Sequence, residues 1–365
     1  MKHHQIALWL IVCCFVACTR ETDEPSNTDQ PTAQWSPIDD PLFGSTSTLN
    51  LAVWDDRLHI LAKTSVGSST LNGAFEQKNH LSDLPDYQMP FNQNFFLSPF
   101  FQINQLYLRP SPNPNMAYTS ALLNVSTLGQ EANLPSFLMH KAAANAQCAL
   151  LALHDNGYSY RKAALLKPRI SQNGNVLAIQ EVEARLIDLP NLGAIGSIHD
   201  MGDRFLVAYD TPDGRLITAL VFPDGTVETV LENEWIIRII PLGDRWLGIN
   251  RSTNSANPNH DLFESKDKGR TWVKLGAAAA LGLPAFTEWV TDYDQAGETT
   301  YFADQLNVYS VRMGPNGQLM QKKAPQTGIV DKKINAIALW NNQLFAATLN
   351  GVYRLPVENQ EKDWE

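Results

Sequence analysis

The sequence is poor in the residues that usually name a chemistry. It has 4 cysteines in 365 residues. Cys13 and Cys14 lie in an apolar leader and Cys18 closes it, so Cys148 alone remains in the body of the chain. One thiol forms no internal disulfide, which excludes a cystine-stapled scaffold. The apolar setting of Cys148 in CALLALH raises a thiol's pKa, so it reads as a small buried hydrophobe and not as a nucleophile. No block of Lys or Arg occurs and the formal net charge is −10. A nucleic-acid partner is therefore not expected. No apolar run reaches the roughly 20 residues that span a bilayer. No long stretch keeps the 3.6-residue period of an amphipathic helix. H-E-x-x-H, paired C-x-x-C, a Walker loop and G-x-S-x-G are all missing. No catalytic residue, metal or cofactor is predicted.

What is present begins at the N-terminus. Lys2, His3 and His4 precede an apolar run from Ile6 to Ala17 that ends in FVAC. A short charged start, a hydrophobic stretch and a small residue before a cysteine resemble the lipobox of bacterial lipoproteins, with Phe15 where that family has Leu. The resemblance implies a signal peptide over residues 1–17 and lipidation of Cys18, hence anchoring in the bacterial cell envelope. Residues 18–34 are polar and acidic, with no large apolar side chain before Trp35. Such a segment cannot bury enough surface to fold and reads as a flexible tether.

From residue 35 onward one pattern recurs: an apolar strand, a tight polar turn, a second apolar strand. It reads as LNLAVWDDRLHILA, FFQINQLYLR, CALLALHDNGYSY, AIGSIHDMGDRFLVAY, IIRIIPLGDRWLGIN, WVTDYDQAGETTYFAD and INAIALWNNQLFAAT. Leu58, Leu106, Tyr158, Phe205, Trp246, Tyr301 and Leu344 mark the second strands and stand 41–55 residues apart. A second signal interleaves with the first. Hairpin turns favour Asx-Gly because they need positive φ. Asn173-Gly174, Asp224-Gly225, Asp267-Lys268-Gly269 and Asn316-Gly317 recur every 44–51 residues, half a unit out of phase. Units of several short strands at this period are β-propeller blades. The chain is predicted to be all-β: one seven-bladed β-propeller over residues 35–365, with four-stranded antiparallel blades. Irregularity in the first two units leaves six or eight blades open. WSPIDDPLF, residues 35–43, is expected to complete the last blade as its fourth strand.

Residues 265–272 read SKDKGRTW. Ser265, Asp267, Gly269, Thr271 and Trp272 match Ser-x-Asp-x-Gly-x-Thr-Trp, which resembles the Asp-box, or BNR repeat, of sialidases and sortilin-type receptors. The resemblance implies a structural turn between the third and fourth strands of a blade. It also raises the sialidase reading: such an enzyme needs three converging arginines, a Tyr–Glu pair and an acid/base Asp. RIIP (238–241) is faintly similar to the family's Arg-Ile-Pro element but carries an extra Ile, and nothing marks Arg169 and Arg251 as its partners.

The favoured reading is a monomeric propeller that binds or scaffolds a protein or glycan partner at the envelope. An envelope glycoside hydrolase is the alternative. Trp235, Arg238, Arg251, Glu288 and Trp289 lie where first strands begin near the axis and form the candidate binding face. His199 and Asp200 in HDMGD read as a solvated turn, and His260 and Asp261 as neighbours that diverge along a strand.

Overall fold

The computed structural model describes residues 34–41, 43–70, 74–80, 95–99, 104–108, 117–118, 120–122, 141–154, 160–173, 176–251, 260–283, 286 and 290–357. The expected signal peptide, Cys18, Glu288 and Trp289 lie outside them.

The strands run β1 (Ser36–Pro37), β2 (Thr48–Trp54), β3 (Arg57–Ala62), β4 (Ser65–Ser69), β5 (Phe75–His80), β6 (Phe95–Pro99), β7 (Asn104–Leu108), β8 (Ala117–Tyr118) and β9 (Ser120–Leu122). They continue through β10 (Ala142–Ala144), β11 (Ala149–His154), β12 (Tyr160–Asn173), β13 (Val176–Ile187), β14 (Ala194–Asp200), β15 (Phe205–Asp210), β16 (Leu216–Val221) and β17 (Val227–Glu232). The last are β18 (Ile236–Leu242), β19 (Arg245–Asn250), β20 (Asp261–Ser265), β21 (Val273–Ala277), β22 (Asp292–Ala296), β23 (Thr299–Ala303), β24 (Val308–Met313), β25 (Leu319–Lys323), β26 (Ile334–Trp340), β27 (Gln343–Thr348) and β28 (Gly351–Pro356).

Six sheets carry four antiparallel strands: β2–β5, β10–β13, β14–β17, β18–β21, β22–β25, and β26–β28 completed by β1. Among the described residues the fold is thus an all-β propeller of six such blades, which corrects the expected seven. Among the described residues, the unit around FFQINQLYLR forms a three-stranded sheet, β6-β7-β9. Its β8 pairs instead, in parallel, with the outer edge of β13. The sequence supplies a reason. Units at this period elsewhere carry an Asx-Gly pair before their last strand. The FFQINQLYLR unit lacks that turn. A second correction concerns the third unit. CALLALHDNGYSY spans the second and third strands, β11 and β12, because the first strand, β10, is only three alanines long.

Neighbouring blades are glued by apolar clusters between them. Leu150, Ile187, Ile195, Phe205 and Val221 join β10–β13 to β14–β17. Ile240, Leu247, Phe286, Phe302 and Val311 do the same for β18–β21 and β22–β25. Strand alternation explains this: each blade presents one set of side chains to each neighbour.

The ring closes as expected. β1 pairs antiparallel with β28, Ser36 opposite Arg354 and Pro37 opposite Tyr353. The Ile38 N–H donates to Val352 O at 3.0 Å, and the Val352 N–H to Phe43 O at 3.0 Å. Gly351 has φ +117°, and a Cβ there would lie 2.2 Å from Gly44 O. Glycine is needed at this crossing for both reasons.

The turn of residues 265–272 joins β20 to β21, the third and fourth strands of its blade. Asp267 Oδ1 accepts from Ser265 Oγ at 2.9 Å and from the Thr271 N–H at 2.8 Å, and Oδ2 accepts from Thr271 Oγ1 at 2.6 Å. The Gly269 N–H donates to Ser265 Oγ, and Trp272 Nε1 donates to Gly269 O, each at 2.8 Å. Lys268 and Gly269 both have positive φ. The Trp272 indole then packs beneath the turn with Met201, Leu220, Ile236 and Phe263, tying this hairpin to the preceding blade.

Candidate functional site

The first strand of each blade lies innermost and is an edge strand, so its outer backbone groups need partners. Side chains supply them. Lys141, just ahead of β10, donates to Ile195 O and Gly196 O of β14. His199 of β14 reaches Ile237 O of β18 at 2.8 Å; a carbonyl only accepts, so Nε2 carries the proton. Arg238 Nε donates to Val290 O, ahead of β22, at 2.8 Å. Asp292 and Asp294 of β22 accept the N–H groups of Ile337 and Leu339 in β26, at 2.9 and 2.6 Å. Asn335 of β26 donates to Thr48 O of β2 at 2.8 Å. A polar relay thus passes from blade to blade around the axis.

This relay has a pH signature. Burial pushes the Asp292 carboxyl up to about 8, opposed by backbone N–H bonds from Ile337 and Tyr293 and helped by repulsion from Asp294. Burial pushes the His199 imidazole down to about 3, helped by Arg238. Both residues keep some accessible surface as a whole, while their ionisable groups are enclosed by the inner strands, and enclosure sets the shifts. The unfolded Asp292 carboxyl releases its proton near pH 4. Its stabilising share is complete below that pH and is lost as pH rises through about 8. His199 acts oppositely: its share is complete above about pH 6.5 and is lost as pH falls toward about 3. Above about pH 6.5 His199 is neutral in both states, so Asp292 leads the fall in stability up to about pH 8, with Asp294 and Asp200 shifted in the same direction and Lys141, brought down to about 8, opposing it at the upper end. Asp292→Asn is expected to flatten the fall in Tm across that window. An unchanged slope in thermal unfolding at constant ionic strength would show that the native carboxyl is already ionised.

At the mouth where first strands begin, cations gather. Trp235 precedes β18; its N–H donates to Asn250 Oδ1 at 2.7 Å, and its carbonyl accepts from the Arg251 N–H at 3.1 Å. Asn250 Nδ2 in turn donates to Glu234 Oε2. The Arg251 guanidinium lies 5.7 Å from the centre of the Trp235 ring, within cation–π range. The indole rests on Gly196, where a Cβ would come 1.6 Å from the ring. Gly196 O is also a Lys141 partner. Burial brings the Lys141 ammonium down to about 8, with Asp210 acting upward and the charges of Arg238 and Arg251 downward. Lys141, Arg238, Arg251 and Trp235 therefore share one locale. In a chain of net charge −10, these three cations outnumber the carboxylates beside them, Asp210 and Glu234, and leave a local excess of positive charge.

The structure brings together three of the five residues of the predicted face: Trp235, Arg238 and Arg251. Glu288 and Trp289 lie outside the described residues. Lys141 was missed; a lone lysine before AAA gives no pattern to read. His199 and Asp200 do sit at a strand end, both half-buried: His199 is held by Ile237 O, Asp200 Oδ1 accepts from the Gly202 N–H at 2.8 Å, and burial raises the Asp200 carboxyl to about 6. His260 and Asp261 diverge, His260 toward Asn250 O at 3.3 Å and Asp261 to Lys274 at 2.6 Å. Cys148 is buried and free, and burial pushes its thiol up to about 11, as suits an inert side chain. Arg169 lies on β12 in an exposed pair with Glu181 at 3.4 Å, and has no part in the cationic mouth.

No protein-family model matches the chain, and no curated protein matches its sequence. Solved β-propellers do. The chain is similar to a catalytically inactive virginiamycin B lyase from Staphylococcus aureus bound to quinupristin, at 10% identity, over 89% of this chain and 99% of that one, with a TM-score of 0.56. It is also similar to a streptogramin B lyase at 8% identity, over 88% and 96%, with a TM-score of 0.53. At such identity the likeness is one of fold alone.

Proposed function

We propose that this chain is an envelope lipoprotein, anchored through Cys18, whose propeller binds a protein or glycan partner at the mouth holding Trp235, Arg238, Arg251 and Lys141. The observation that carries the reading is the convergence of three cations beside an indole platform on an otherwise acidic chain. Such a mouth attracts carboxylate- or phosphate-bearing surfaces, and the aromatic face adds contact area at little entropic cost. The leader ending in FVAC and the polar tether support the anchor. The closed hydrogen-bond set of Ser265, Asp267, Gly269, Thr271 and Trp272 supports an Asp-box turn with a structural role.

The test is crosslinked affinity capture of partners by the full chain in its native envelope. Arg251→Glu is expected to weaken capture about tenfold, a difference of about 1.4 kcal/mol. Arg169→Glu, far from the mouth, should leave it unchanged. Equal capture by wild type and Arg251→Glu would overturn the binding face. Loss of fatty-acid labelling in Cys18→Ser is the expected result for the anchor; persistent labelling would refute it.

A further inference from the structure

The opposite mouth, where first strands turn into second strands, carries a different chemistry. Trp340 ends β26 and stands between two open clefts. One, of about 390 Å³, is lined by Gln295, Ala296, Leu339, Trp340, Asn341, Asn342 and Val357. The other, of about 270 Å³, is lined by Ile38, Asp39, Phe75, Trp340, Gln343, Phe345 and Arg354 among others. The larger falls within the size range of small-molecule sites and the smaller just below it.

Three features describe what would fit. The first is a fixed aromatic plate. Trp340 Nε1 donates to Asp56 O at 3.0 Å, and the Phe345 ring sits 5.9 Å away at 51°. The indole is thus held from both the neighbouring blade and its own. The second is a row of amides: Gln295, Asn341, Asn342 and Gln343. Each can donate and accept at once, as a hydroxyl does. Asn341 and Asn342 have φ +49° and +56°. Such a two-residue turn favours glycine at its second position, yet this one keeps an amide there. The third is charge. Among the described residues, the larger cleft is lined by no ionisable side chain, and the smaller by one acid and one base, Asp39 and Arg354. Neither cleft selects an ion.

We propose that Trp340 and the amides beside it form a binding site for a neutral oligosaccharide. The indole stacks on the C–H face of one sugar ring. The amides pair with its hydroxyls, and the cleft on the other side of Trp340 receives an adjoining sugar. Gln295 Nε2 already donates to Gly297 O at 3.0 Å, which holds that amide with its oxygen still able to accept; a purely apolar ligand would cover these polar groups without pairing them, which costs binding energy, and a charged one would find no counter-charge among the described residues of the larger cleft. This site is independent of the cationic mouth and shares no residue with it.

The test is calorimetric titration of the full chain with maltohexaose, cellohexaose and tetra-N-acetylchitotetraose. At least one is expected to bind. Trp340→Ala should weaken that binding about tenfold, while Trp340→Phe, which keeps an aromatic face, stays within about threefold. Asn341→Gly preserves the left-handed turn and removes one amide; it should weaken binding about threefold, and it keeps the proposal testable should Trp340→Ala fail to fold. Arg251→Glu should leave sugar binding unchanged, so failure here and failure of the cationic mouth are told apart. No binding of any of the three at about 10 mM, or binding that survives Trp340→Ala or falls with Arg251→Glu, overturns the proposal.

Discussion

Phe43→Ala is expected to cost about 3–5 kcal/mol of stability, the usual range for emptying a fully buried phenylalanine site. The ring is 0% exposed. It fills the space over Gly67, where a Cβ would come 2.3 Å from the ring, and meets Phe75 edge-on at 6.4 Å. It joins Leu58, Ile60, Phe345 and Val352 in the cluster that welds the first complete blade to the last. Its backbone also holds the closing segment: the Phe43 N–H donates to Asp40 Oδ1 at 2.8 Å, and its carbonyl accepts from Val352. Losing the ring therefore loosens the clasp as well as opening a cavity. Urea unfolding should show the loss, and hydrogen exchange should rise first in β28. A loss below about 1 kcal/mol would mean that the clasp contributes little to the ring.

Gly196→Ala is the second large effect. The backbone at Gly196 is not left-handed, so the added methyl is costly only through contact. That contact is 1.6 Å from the Trp235 ring, closer than atoms can approach. The indole must leave its bed, taking with it the platform under Arg251 and disturbing the carbonyl that Lys141 uses. Overpacking of this kind costs about 1–3 kcal/mol. A double-mutant cycle separates the clash from any other defect. In Gly196→Ala/Trp235→Ala the ring is gone, so the combined loss should fall short of the sum of the two single losses by about 1 kcal/mol or more. Partner capture should fail in both single variants. Additive losses would mean that the indole does not rest on Gly196 in solution.

Much of the architecture was legible because its signals are local. The alternation in IIRIIPLGDRWLGIN and INAIALWNNQLFAAT, and the Asx-Gly turns at 174, 225, 269 and 317, each depend on a few adjacent residues. The count of blades was not. A full blade needs four strands of sufficient length, and the unit around Leu106 has no Asx-Gly pair to mark a third-to-fourth-strand hairpin. The three alanines of β10 are too short and too small to announce a strand, so the neighbouring CALLALH took their place in the pattern. The site divides in the same way. Trp235, Arg238 and Arg251 could be placed because they flank the start of a first strand and the end of a second. Lys141 could not, since its partners Ile195 and Gly196 belong to the next blade. His199 was misread because HDMGD has the composition of a solvated turn, whereas its environment is set by β18. The Trp340 clefts draw on residues 39, 75, 295 and 354, and no linear window contains them.

The closing strand also sets an order of events during synthesis. β1 leaves the ribosome early, yet its partners Tyr353 and Arg354 arrive more than 300 residues later. Until then Trp35, Ile38 and Phe43, all buried in the finished ring, lack the half of their packing that the last blade supplies. Non-local pairing of this kind is slow and leaves apolar surface open to aggregation. The closing segment must therefore be kept from misassembly while more than 300 further residues are made, and the ring cannot close before β28 has appeared.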